Sequence, residues 1–163
     1  MARTNTVQSN IRGFTQTADT SVVLVVKAAD ETVNNNDAFQ NDDELFFSVN
    51  GGELWYVTWF LRVSAASATP DIVVAITDPP GSLTSWWKEF NATSSVGAAT
   101  RGTERGDDVF NIQTGVNDFN YLAIHALVKT KNAGTILLQW AQDVAHASDT
   151  IVKAGSHLLA WRN

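Results

Sequence analysis

The last third of the chain is a series of short runs rich in β-branched and aromatic residues. Runs 120–129 and 134–142 flank a short polar turn, and run 150–154 leads through Gly155 into run 156–162. Each run has the length and composition of a β-strand, and turn-forming residues separate them. The sequence therefore predicts a string of antiparallel strands in this part of the chain.

The same pattern begins at Ser21. We predict further strands at 22–26, 45–49, 54–64, 71–77, 84–90 and 107–114. Run 22–26 is dominated by Val and is predicted to be buried. Asn50-Gly51-Gly52 is the strongest tight-turn signal, and the Asn- and Asp-rich segments 34–37 and 41–44 are also predicted as turns, because these side chains bond their own backbone.

The longest predicted strand, 54–64, carries the clearest alternation. One of its faces is wholly apolar and is predicted to face the core, whereas the other is mixed. The apolar set is Trp55, Val57, Trp59, Leu61 and Val63. About nine strands with turns between them, and no helical period over a useful window, predict an all-β fold: an antiparallel, jelly-roll-like β-sandwich.

Composition excludes several classes of protein. The 163 residues suit one domain, and the absence of cysteine excludes disulfides and thiolate metal sites. The 11 basic and 17 acidic residues give a net charge of -6, and the basic residues are scattered, so no nucleic-acid partner is expected. No apolar run approaches the roughly 20 residues of a membrane span, and no signal-peptide core is visible, so no membrane partner is expected.

Residues 1–20 form a polar segment rich in Thr, Asn, Gln and Ser, with few large apolar residues. We predict a short extended N-terminal arm at 1–20, followed by a sandwich domain at 21–163. Two interpretations stay open for the arm. It is either a frayed terminus or a segment that docks on a neighbouring molecule.

Trp86 and Trp87 are the candidate contact residues of the sandwich. Successive strand residues point to opposite faces, so at least one of the two is expected at the surface or at a subunit contact. The long loop predicted at 91–106 adds Arg101 and Arg105 to this candidate ligand or subunit contact. A sugar-binding platform and a core or oligomer contact both remain open.

No catalytic constellation is visible. His125, His146 and His157 are not clustered in sequence, and no Gly-x-Ser-x-Gly nucleophile turn is present. The acidic residues at 30–31 and 37–44 are interpreted as turn caps, because no calcium-loop pattern accompanies them. We therefore expect no catalytic residues, no metal, no cofactor and no enzyme activity.

Several segments of the chain resemble a group of bacteriophage virion proteins. The resemblance spans about residues 22–162 and rests on patterned segments rather than on chemical motifs. The segments are Val26-Lys-Ala-Ala-Asp-Glu-Thr-Val33, Asn41-Asp-Asp-Glu-Leu45, Leu54-Trp-Tyr-Val57, Asp78-Pro-Pro-Gly81, Leu138-Gln-Trp-Ala-Gln142, Asp149-Thr-Ile-Val-Lys-Ala-Gly-Ser156 and Trp161-Arg162.

The resemblance implies a homotrimeric, jelly-roll-like sandwich similar to tumour-necrosis-factor-like trimers, on the exterior of a phage particle assembled in the host cytoplasm. Relatives of this kind occur as head decoration proteins and as tail or fibre domains. No collagen-like or coiled-coil stalk precedes the sandwich, which favours a decoration (cement) protein seated on the major capsid protein. The arm residues expected to touch the shell are Val7, Ile11, Arg12 and Phe14. The alternative is a tail receptor-binding protein that recognises host surface glycans.

Overall fold

The computed structural model describes residues 21–67, 69–92, 95–96, 101–102 and 120–163, and it describes no side chains from 90 to 120. The predicted arm at 1–20 and the predicted strand at 107–114 lie outside the described residues. The candidate contact residues Val7, Ile11, Arg12, Phe14 and Arg105 lie outside them too, as does the side chain of Arg101.

The described part of the chain is all-β, as predicted, and contains no helix. Its strands are β1 Val22–Val26, β2 Glu31–Val33, β3 Gln40–Val49, β4 Leu54–Ala65, β5 Ile72–Thr77, β6 Leu83–Ala92, β7 Ser95–Val96, β8 Arg101–Gly102, β9 Asn120–Lys129, β10 Gly134–Gln142, β11 Thr150–Val152 and β12 His157–Arg162. The strands predicted in the last third of the chain are therefore confirmed: run 120–129 is β9, run 134–142 is β10, and run 150–162 contains β11 and β12.

The strands form two antiparallel sheets. The large sheet has nine strands with the path β1-β12-β4-β9-β6-β7, to which β11, β2 and β8 add at the sides. The small sheet has three strands in the order β3-β10-β5. This arrangement confirms an antiparallel β-sandwich, whereas the jelly-roll and tumour-necrosis-factor-like connectivity stays a prediction.

The predicted tight turn at Asn50-Gly51-Gly52 is confirmed, and it passes between the sheets. It leads from β3 in the small sheet to β4 in the large one. Gly52 has φ +81°, which favours glycine. Thr130 secures the turn, because its hydroxyl donates to the Asn50 carbonyl at 2.7 Å and its own carbonyl accepts from the Gly52 amide at 2.9 Å.

The sandwich core lies between the two sheets and confirms the apolar face predicted for β4. Trp59 and Leu61 of β4 are fully buried, as are Ile124 of β9 and the small-sheet residues Leu138 and Trp140. Trp59 also donates its indole N–H to the Leu45 carbonyl of β3 at 3.3 Å. The alternation of β4 thus produces a face that packs against the small sheet.

The prediction that strand β1 is buried is wrong. It lies at the edge of the large sheet, where it pairs with β12 alone. Val22, Leu24 and Val26 are 66%, 63% and 54% exposed. The Val-rich composition predicted a strand correctly, but it could not distinguish a buried central strand from an exposed apolar edge.

Segment 41–44, predicted as a turn, lies within β3. The ladder between β3 and β10 shifts register here, so that Phe46 pairs with Leu137 while Asn41 pairs with Gln139. The side chain of Asp42 accepts hydrogen bonds from the Glu44 and Leu45 amides at 3.0 and 2.9 Å. The turn-forming chemistry is therefore present, but it produces an irregularity inside a strand.

The prediction of a loop at 91–106 is also partly wrong. Its first two residues continue β6, and it includes the short strands β7 and β8, which both pair with β6. Backbone pairing to a long neighbouring strand compensates for a composition rich in Gly, Ala and Ser, which carries little strand propensity.

We expect Leu138→Ala to lower the free energy of unfolding by about 2–5 kcal/mol, because it opens a cavity between the sheets. Leu83→Ala is the matched control, since Leu83 is 72% exposed and a surface change of this kind stays within about 0.5 kcal/mol. Chemical denaturation of both variants measures the difference. Equal effects would contradict the placement of the core.

Candidate interaction surface

The outer face of the large sheet carries a continuous set of apolar and aromatic side chains. Since Trp55, Val57 and Trp59 point into the core, their neighbours along β4 point outward. The strand register places these neighbours in cross-strand rows with residues of β1, β12, β9 and β6. We call this surface the aromatic face: Val22, Leu24, Val26, Tyr56, Thr58, Phe60, Trp87, His125, Leu127, His157, Leu159 and Trp161.

The rings of the aromatic face are packed against one another. Tyr56 lies 4.3 Å from Trp161 and 5.7 Å from Trp87, measured between ring centroids. Trp87 stacks on His125 at 5.1 Å with an interplanar angle of 17°. Ring pairs at these separations stabilise each other, so the sheet presents the aromatic groups in a fixed arrangement.

The aromatic face is open in the described structure. Phe60 is 39% exposed and Trp161 is 38% exposed, and the exposed apolar residues of β1 extend the same surface to the sheet edge. Contiguous exposed apolar surface is uncommon on monomeric soluble proteins, where it marks sites of interaction. The aromatic face is therefore the strongest candidate interaction surface in the described residues.

His125 lies at the centre of the aromatic face and is held in a polar niche. Its Nδ1 is 3.0 Å from the Thr58 hydroxyl and 3.2 Å from the Tyr56 hydroxyl. Its Nε2 is buried without a hydrogen-bond partner among the described residues. Desolvation lowers the pKa of His125, although the negative charge of Glu89 acts in the opposite direction. The lowered pKa favours the neutral form of the His125 ring.

The two candidate tryptophans point to opposite faces, as predicted. Trp86 is buried in the core, whereas Trp87 is half-buried on the aromatic face. The backbone of Arg101 in β8 pairs with that of Trp87. The sequence predicted Trp87 as a contact residue but not Tyr56 or His125. Tyr56 could have been found, because it lies on the mixed face of β4 that the alternation predicted to point away from the core.

Neither a metal site nor a membrane-spanning helix has support in the described residues. No group of three or more His, Asp or Glu side chains there could hold a metal ion. The described segments also contain no helix with the length and apolar character needed to cross a bilayer. The expectation that the protein is not an enzyme stays a prediction.

Comparisons with known proteins identify no family. No family model matches the chain, and no curated protein matches it. The chain aligns with a mutant VP2 protein of infectious bursal disease virus, in derived T=1 particles, at 10% identity and a TM-score of 0.26, covering 99% of this chain and 44% of that one. A second alignment, to the Gt strain of the same virus, has 10% identity and a TM-score of 0.25, covering 96% and 45%. The chain spans less than half of the length of these proteins. TM-scores this low establish neither a shared fold nor a shared function.

We expect His125 to titrate below the ordinary value of 6.5 in the folded protein, because burial disfavours the charged ring. The unfolded chain then takes up the proton first, so the free energy of unfolding should decrease as the pH falls below 6.5. NMR titration of the imidazole signals, assigned with His125→Gln, measures the pKa. A value at or above 6.5 for His125 would contradict the described burial.

Proposed function

We propose that the chain is a capsid decoration (cement) protein of a bacteriophage. It binds the outer shell as a homotrimer, stabilises it and has no catalytic role. The proposal combines the resemblance of about residues 22–162 to phage virion proteins with one structural observation. That observation is the aromatic face, an exposed and largely apolar surface suited to a protein partner.

Self-association is the use that best fits the aromatic face. Protein interfaces are enriched in Tyr, Trp and Phe, and Tyr56, Trp87 and Phe60 pack around His125 on the aromatic face. Covering this face with copies of the same chain removes apolar surface from water. Closed cyclic symmetry then limits the assembly to a defined number of subunits.

Shell stabilisation of this kind requires binding and no chemistry. A protein that binds the assembled shell but not its dissociated subunits shifts the equilibrium toward the shell by mass action. Three arms at 1–20 on one trimer would bind together, so that weak individual contacts add up to strong attachment. Docking of an extended segment on a neighbouring sheet is an established way to make such contacts.

A tail receptor-binding protein is the second candidate, and Trp87 is the observation that favours it. Its half-buried ring stacks on His125 beside Tyr56, and flat exposed rings of this kind can stack on sugars. Binding to host surface glycans that Trp87→Ala abolishes would favour this role over the decoration of capsids.

We expect deletion of residues 1–20 to abolish binding to phage shells while the protein remains trimeric. The arm is the proposed contact with the major capsid protein, whereas the aromatic face is the proposed contact between subunits. Co-sedimentation with undecorated shells measures binding, and light scattering measures the mass. A truncated protein that still decorates shells would refute the role of the arm.

We expect the intact chain to have a solution mass near three times 17.7 kDa, and Phe60→Lys to reduce it to that of the monomer. A lysine placed on the aromatic face would have to be desolvated in the interface. Phe46→Lys is the matched control, because Phe46 is 46% exposed but lies on the small sheet. Circular dichroism checks that both variants fold. A monomeric intact chain, or dissociation by both variants, would contradict the proposed interface.

A further inference from the structure

Lys27, Glu31 and Asp42 form a buried cluster where the two sheets meet. The Lys27 Nζ lies 2.5 Å from Glu31 Oε2 and 3.0 Å from Asp42 Oδ1. The side chains of Lys27 and Asp42 are 1% and 0% exposed, and that of Glu31 is 11% exposed. A primary amine is thus confined beside a carboxyl group, with a second carboxylate touching the same nitrogen.

The two oxygens of Asp42 have different environments. Oδ1 accepts hydrogen bonds from the Glu44 and Leu45 amides in addition to Lys27. Oδ2 is buried and has no hydrogen-bond partner among the described residues. The hydrogen bonds to Oδ1 are suited to stabilise a carbonyl oxygen or an oxyanion. No hydrogen bond among the described residues restrains Oδ2, the oxygen that would depart as water.

Surrounding hydrogen bonds hold the reacting groups in place. The Lys27 amide donates to the Ser156 carbonyl, and the Lys27 carbonyl accepts from the Gly155 amide, both at 2.8 Å. Glu31 accepts from the side-chain amide of Gln40 at 2.6 Å and from the backbone amide of Asp43 at 3.2 Å. Such preorganisation makes a bimolecular reaction effectively unimolecular.

We propose that Lys27 and Asp42 condense within the folded chain to form an amide bond between Nζ and Cγ, with Glu31 as the proton carrier. The bond is an intramolecular isopeptide cross-link. The cross-link is independent of the proposed role on a capsid.

The reaction begins with transfer of one proton from the Lys27 ammonium to Glu31, which delivers it to Asp42 Oδ2. The neutral amine then attacks Cγ, and the Glu44 and Leu45 amides stabilise the negative charge that develops on Oδ1. A second proton passes from Nζ through Glu31 to Oδ2, the Cγ–Oδ2 bond breaks, and water leaves. Ammonium and carboxylate give amide and one water, and Glu31 ends as it began.

The starting state is an ion pair. Desolvation acts to lower the pKa of Lys27, but hydrogen bonds and charges from Glu31 and Asp42 outweigh it and raise the pKa. The reactive neutral amine is therefore a minor form, and the reaction is expected to be a slow maturation. Condensation is favoured because it replaces two buried charges, which are costly to desolvate, with one neutral amide.

The cross-link would connect the two sheets directly. Lys27 follows β1 of the large sheet, and Asp42 lies in β3 of the small sheet. In a chain without cysteine, the amide supplies the covalent restraint that a disulfide supplies elsewhere. The cross-link would lie directly after the exposed edge strand β1.

Mass spectrometry of the intact, full-length protein under denaturing conditions tests the proposal. We expect the mass to be lower than the sequence mass by one water molecule. Trypsin should fail to cleave after Lys27, and should release residues 13–62 as one peptide that is also lighter by one water. Separate peptides 13–27 and 28–62 of full mass, after prolonged incubation of the folded protein at neutral pH, would overturn the proposal.

Matched variants separate the cross-link from a simple ion pair. Lys27→Arg should restore the full mass, whereas Lys153→Arg should keep the water loss, because Lys153 forms an exposed ion pair with Asp30 at 2.9 Å. Glu31→Gln should slow the water loss strongly while the fold is kept. If Lys27→Arg does not fold, the tryptic map of the unaltered protein decides the question. An unchanged rate in Glu31→Gln would overturn the role of Glu31 as the proton carrier.

Discussion

The packing of β4 against the small sheet is the contact on which the rest of the structure depends. Trp59 and Leu61 are buried at the centre of the core, where they contribute to the same apolar cluster as Leu138 and Trp140 of β10. Because a strand alternates its side chains, burying one face of β4 obliges the other face to point outward. The core and the aromatic face therefore both follow from the alternation of side chains along β4.

The outward face differs from the core because amphipathic residues lie at its centre. Tyr56 and His125 combine ring surface with polar atoms that bond to each other at 3.2 Å, so they tolerate partial exposure in the described chain. The neutral state of His125 matters here, since a charged imidazolium would oppose desolvation in any protein interface. A surface with these properties is suited to association with another protein.

The polar cluster at Lys27 addresses another physical problem, which is how to join two sheets at their edges. Apolar packing holds the centre of the sandwich, whereas Lys27, directly after β1, and Asp42 in β3 meet through an ion pair. The buried Lys27 fixes the relative position of these segments because its ammonium group pairs with both Glu31 and Asp42. The same confinement holds the Lys27 amine 3.0 Å from a carboxyl oxygen of Asp42, which is the proximity that the proposed condensation requires.

The sequence by itself determined the longer described strands and the core face of β4, because period-two alternation and turn residues act locally, but it did not predict the short strands β2, β7 and β8. It also predicted that Trp86 and Trp87 would diverge. Only the tertiary structure decided that β1 is an exposed edge, that segment 41–44 lies in a strand, and which strands share a sheet. These outcomes depend on pairings between distant residues, such as those that bring His125 beside Tyr56 and Lys27 beside Asp42. Local patterns carry no information on such pairings, since burial of the whole chain selects them.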